Sequence, residues 1–99
     1  MQKMHSKTIR RLYRAVAQIR DEKECAAFFE DLCTVKEIQD MAKRLDAAVL
    51  LEAGMNYQQI AKEADISTAT ISRVSKCLNY GSGGYRAALD RLKDTEGTK

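Results

Sequence analysis

The chain has 99 residues, with 17 Lys plus Arg against 14 Asp plus Glu, one His, and neither Pro nor Trp. That length holds one domain, 1–99, and a lone copy buries only about two thirds of its unfolded surface, so a second copy would add core. No apolar run approaches the ~20 residues that span a bilayer, and no signal-peptide stretch follows the basic N-terminus; the expectation is a cytoplasmic protein with no membrane partner.

The first apolar stripe, Ile9, Leu12, Tyr13, Val16 and Ile19, recurs at spacings of three and four and predicts a helix over 7–20. Asp21, with Glu24 three residues on, is a capping pattern that starts a second helix over about 22–32, burying Cys25, Phe28, Phe29 and Leu32. Thr34 and Glu37 repeat the pattern for a third helix carrying Ile38, Met41, Ala42, Leu45, Ala48, Val49 and Leu51. Its stretch 47–51 is apolar nearly all round. Such a helix is buried on every side, which in so small a chain calls for a partner subunit. Gly54 can take the left-handed conformation that ends it. Asn56 with Gln59 starts a fourth helix, and a fifth runs from Thr68 to Leu78. The glycine-rich stretch from Asn79 to Gly84 reads as a turn. A last helix over about 84–93 has Tyr85, Ala88, Leu89 and Leu92 on one face, and 95–99 fray. No strand pattern interrupts the series, so the expected fold class is all-α with six helices. Tyr13, Tyr57, Tyr80 and Tyr85 read as core or interface aromatics.

Cys25, Cys33 and Cys77 are odd in number and form no C-x-x-C pair, which favours buried thiols in a reducing compartment over disulfides. With His5 as the only histidine, no metal site is expected. The net charge of +3 hides an asymmetry. Residues 1–20 carry Lys3, Lys7, Arg10, Arg11, Arg14 and Arg20 and no acid, whereas 21–65 hold eleven acids against five bases. Residues 66–89 carry Arg73, Lys76 and Arg86 and again no acid. Two basic patches on an acidic body fit a polyanionic partner. The N-terminal patch reads equally as a phosphate contact and as a solvated interface helix.

The segment 57–78 fits a helix-turn-helix. Two short helices crossing steeply need a small residue at their closest approach, and Ala61 falls there. Ile60, Ala64, Ile66, Ile71 and Val74 fall at the inward positions. Where the turn commonly has Gly, this chain has Asp65, one of the few other residues that visit positive φ at modest cost. Ser67 is placed to cap the second helix, which then presents Thr68, Ala69, Thr70, Ser72, Arg73 and Lys76. Hydroxyls can bond base edges or phosphates, methyls can touch thymine, and Arg or Lys can reach guanine or phosphate. Gln58 and Gln59 are placed to meet the backbone or a base. The expected partner is double-stranded DNA.

On these residues, with 34–38, 41–45 and 72–81, the chain resembles the Trp repressor family, in its YerC/YecD-type subgroup. The resemblance covers most of 7–93. It implies an intertwined homodimer with two reading heads, acting as a transcriptional regulator, a repressor, on a palindromic operator. The founding member holds tryptophan between two arginines, and the matching positions here are Arg44 and Arg73, with Thr34 capping the third helix nearby. Two substitutions argue against a retained L-tryptophan corepressor. Val74 stands where Trp repressor has Gly, and Cys77 where it has Ser. Val74 would fill the void that a ligand ring occupies, so no cofactor is expected and the small-molecule effector is left open. An enzyme is not expected, since no P-loop, H-E-x-x-H or dinucleotide fingerprint is present and the lone His5 lies near a terminus. The alternative is an interaction adaptor that uses the helical bundle without DNA.

Overall fold

The structure, a computed structural model, describes residues 6–95. His5, and with it any metal reading that depends on it, lies outside them. The order is α1 (Lys7–Ala17), α2 (Glu22–Leu32), α3 (Val35–Glu52), α4 (Tyr57–Ala64), α5 (Thr68–Tyr80) and α6 (Gly84–Thr95). The all-α expectation holds, and among the described residues no helix is long and apolar enough to cross a membrane.

The chain divides into two compact units, Met1–Ile38 and Gln39–Lys99. In the first unit, Ser6 caps α1 by accepting from the Ile9 N–H at 3.2 Å. The helix ends three residues before the predicted boundary. The N–H groups of Gln18 and Ile19 close it with short-range bonds to Ala15 and Val16. The chain must then extend, because Asp21 takes an extended backbone to cap α2. Asp21 accepts from the Glu24 N–H at 2.8 Å, while Glu24 reaches back one residue further than expected, to the Arg20 N–H at 3.1 Å. Thr34 and Glu37 exchange both bonds of a capping box, at 2.8 and 3.0 Å.

Neither α1 nor α2 contains a buried residue. Leu12, Tyr13, Val16 and Leu32 are exposed, and Cys25, Phe28 and Phe29 are half-buried. Burial of the α2 apolar face is therefore not complete within the chain.

The second unit holds the core, made of Ala47, Ala48, Ile60, Ala64, Ile71, Val74 and Leu89. Gly54 ends α3 at φ +89°. The Gly54 N–H donates to the Leu51 carbonyl and the Met55 N–H to the Leu50 carbonyl, the double bond pattern of a glycine-terminated helix. The apolar stretch of α3 is split: Ala47 and Ala48 are fully buried, but Val49 is 40% exposed. Val49 and Ala53 face Leu89 and Leu92 of α6 across an open groove of about 280 Å³. Glu52 and Lys93 rim it.

α5 runs two residues past its expected end. Asn79 and Tyr80, read as turn, are helical because the Asn79 amide donates to the Ser75 carbonyl at 3.0 Å and the Gly81 N–H to the Cys77 carbonyl at 2.8 Å. α6 extends to Thr95, whose hydroxyl donates to the Leu92 carbonyl at 3.3 Å, so Thr95 is not frayed; 96–99 lie outside the described residues. Of the four tyrosines only Tyr85 packs on the core; Tyr80 is 85% exposed.

Candidate nucleic-acid interface

α4 begins at a reciprocal capping box. Asn56 accepts from the Gln59 N–H at 2.9 Å, and the Gln59 side-chain oxygen accepts from the Asn56 N–H at 3.3 Å. Gln59 thus has a structural task, with its amide nitrogen left over, while Gln58 is exposed and has no such bond. Ile60 and Ala64 turn inward, at 0% and 5% exposure. Ala61 is half-buried against the core.

Asp65 makes the turn at φ 58°, ψ 53°, the left-handed conformation that the sequence requires of this position. Its N–H and that of Ile66 both donate to the Ala61 carbonyl, which satisfies the end of α4. The Asp65 carboxylate pairs with Lys43 of α3 at 3.1 Å. Sequence reasoning missed this pair, because the partners are 22 residues apart and nothing local links them. The same holds for Arg86 of α6, which donates to Glu52 of α3 at 2.7 Å, with Lys93 at 3.9 Å. The bond from Arg86 holds the Glu52 carboxyl below its usual range and raises Arg86, with partial desolvation of Glu52 opposing.

Ser67 caps α5. Its Oγ accepts from the Thr70 N–H at 3.1 Å and donates to Thr70 Oγ1 at 3.0 Å. The two hydroxyls therefore engage each other, and Thr70 is half-buried. Ile71 and Val74 turn into the core, at 0% and 2% exposure, and hold the inner face of α5. Thr68, Ala69, Ser72, Arg73 and Lys76 are exposed. No residue of α5 is acidic. The result is a helix whose first three turns offer methyls, hydroxyls and two cations outward, on a base fixed by buried aliphatics.

The residues of the tryptophan reading are not placed alike. Arg44 and Arg73 are exposed, and Val74 is part of the core. Cys77 is exposed, contrary to the expectation of a buried thiol, and lines a shallow groove with Leu45, Gly81, Tyr85 and Ala88. Thr34 is committed to the capping box of α3. All three cysteines are free thiols. Among the described residues no cluster of three metal-ligating side chains occurs.

The fold and the α4–turn–α5 geometry define a helix-turn-helix protein. The Trp repressor protein family matches residues 7–93, and the chain belongs to that family. It is 48% identical over 94 residues to the uncharacterised protein YerC of Bacillus subtilis (strain 168), covering 95% of this chain and 90% of that one. A crystal structure of a TrpR-like protein from Eubacterium eligens superposes with a TM-score of 0.85 at 39% identity, covering 91% of this chain and 93% of that one. A crystal structure from Staphylococcus aureus gives 0.84 at 40% identity, covering 93% and 94%.

Proposed function

We propose that the chain is a sequence-specific DNA-binding transcriptional regulator that acts as a homodimer and represses from a palindromic operator. The observation that carries this reading is the exposed, acid-free face of α5, seated on buried Ile71 and Val74 and following a left-handed turn at Asp65. Membership of the Trp repressor family supports it. Thr68, Ala69 and Ser72 are the base-facing candidates, Arg73 and Lys76 reach guanine or phosphate, and Ser67, Thr70, Gln58 and Gln59 support the approach. Helix-turn-helix dimers, Trp repressor among them, bind half-sites about one DNA turn (~34 Å) apart.

The dimer is supported by what a single chain leaves uncovered. The apolar faces of α1 and α2, together with Val49 on α3, are the surfaces that a second copy would bury.

We infer further that the reading head is ordered without L-tryptophan. Val74 already fills the inner face of α5 with its own side chain, at 2% exposure. A ring inserted there would have to displace it. The protein then binds DNA constitutively or answers to a different effector.

The test is duplex binding by the full chain and by Arg73→Ala and Lys76→Ala variants. If a side chain contacts phosphate, its loss lowers the slope of log K against log salt by about 0.9; if it reads a base, preference relaxes at one position. Failure of the full chain to bind any duplex, together with a stable heteromeric partner, would establish the adaptor instead.

A further inference from the structure

The helix-turn-helix leaves the basic α1 unused. On a helix of 3.6 residues per turn, Lys7, Arg10, Arg11 and Arg14 fall within an arc of about 100° and span about 10 Å of axis. Ile9, Leu12, Tyr13 and Val16 fall within an arc of about 100° directly opposite. All four cations are exposed. Among the described residues no carboxylate pairs with any of them, and α1 itself contains no acid.

Arg14, in the last turn, suits the helix dipole, but the rest of the arrangement works against the helix that carries it. Lys7 occupies the first turn, at the positive end of the helix dipole, with no acid there to offset it. Lys7 with Arg11, and Arg10 with Arg14, are like charges four residues apart, which repel. α2 has the opposite habit, with Glu22 and Glu24 in its first turn. Charge that weakens its own helix and has no carboxylate partner among the described residues is charge available to a partner outside the chain.

We propose that this face of α1 binds the phosphate backbone of duplex DNA, as a sequence-independent contact additional to that of α5. The proposal rests on the DNA-binding reading of α5. Arginine's planar fork matches phosphate oxygens, and three arginines in one arc favour a row of phosphates over a single carboxylate. An anionic bilayer fits less well. A helix lying on lipid inserts its apolar face, and here that would turn the four cations away from the surface.

The test compares the full chain with Arg10→Gln/Arg11→Gln/Arg14→Gln and Arg10→Lys/Arg11→Lys/Arg14→Lys variants. Binding to a random-sequence duplex is measured by fluorescence anisotropy over a series of salt concentrations, with helicity checked by circular dichroism. The slope of log K against log salt should become shallower by about 2.7 per engaged chain in the Gln variant, and should be kept in the Lys variant. Preference among duplex sequences should not change. Should the triple Gln variant not fold, Arg11→Gln alone should lower the slope by about 0.9. A Gln variant that folds and keeps the full slope overturns the proposal while leaving α5 as the reader. A full chain that binds no duplex overturns both readings together. Vesicles of phosphatidylserine and phosphatidylcholine form the second arm. Vesicle binding that is lost in the Gln variant, with an unchanged DNA slope, would assign the face to lipid and overturn the proposal.

Discussion

Asp65 occupies a backbone conformation that most side chains resist, and its substitutions separate the conformational effect from the Lys43 pair. Asp65→Gly should be neutral or stabilise by up to about 1 kcal/mol in urea denaturation, because relief of left-handed strain outweighs an exposed ion pair. Asp65→Ala should destabilise by about 1 kcal/mol, since the strain stays and the pair is lost. At Val74, truncation to Ala should cost about 1–3 kcal/mol for the lost methyls and the space left behind. Glu52 gives a pH signature. Its carboxyl titrates below the usual range in the folded chain because Arg86 donates to it. The stability it contributes is therefore present above the unfolded carboxyl pKa and lost as pH falls through the lower folded value. Glu52→Gln should lower the melting temperature at neutral pH and flatten its profile over that acidic window, the two chains converging once the carboxyl is protonated. The left-handed turn at Asp65 and all the predicted caps were legible in the sequence, because each is set within three or four residues. The Lys43–Asp65 and Glu52–Arg86 pairs were not, because only the tertiary fold brings those residues together.

At the scale of elements, periodicity located all six helices, and the disagreements lie at ends where two local preferences compete. α1 stops early because Asp21 needs extended backbone for the next helix. α5 continues late because polar Asn79 bonds back to Ser75, although an Asn-Tyr-Gly sequence reads as turn. Gly81 then ends the helix for a steric reason that composition does not reveal: a Cβ there would overlap the Cys77 carbonyl. Gly81→Ala should therefore destabilise the chain by about 1–3 kcal/mol, as an overpacked site does, with the loss read from the denaturation midpoint. The face of α5 was legible as an acid-free surface. The engagement of Thr70 with Ser67 was not, and it moves the base-facing candidates toward Thr68, Ala69 and Ser72.

For the whole molecule, the contrast between the units is the informative feature. The second unit closes a core around Ile60, Ile71 and Val74, while the helices of the first bury none of their residues. The sequence already pointed to a missing partner through the apolar run of α3, and the structure places the uncovered surface at Val49 and along α1 and α2. Light scattering should return twice the chain mass of 11.1 kDa, and Leu12→Glu/Val16→Glu should shift it toward the single-chain value. The measurement that bears most directly on the account is selection of binding sites from random duplex by the purified full chain, with and without L-tryptophan. The account predicts enrichment of a palindrome to the same degree in both. Enrichment only with tryptophan, or none in either condition, would contradict it.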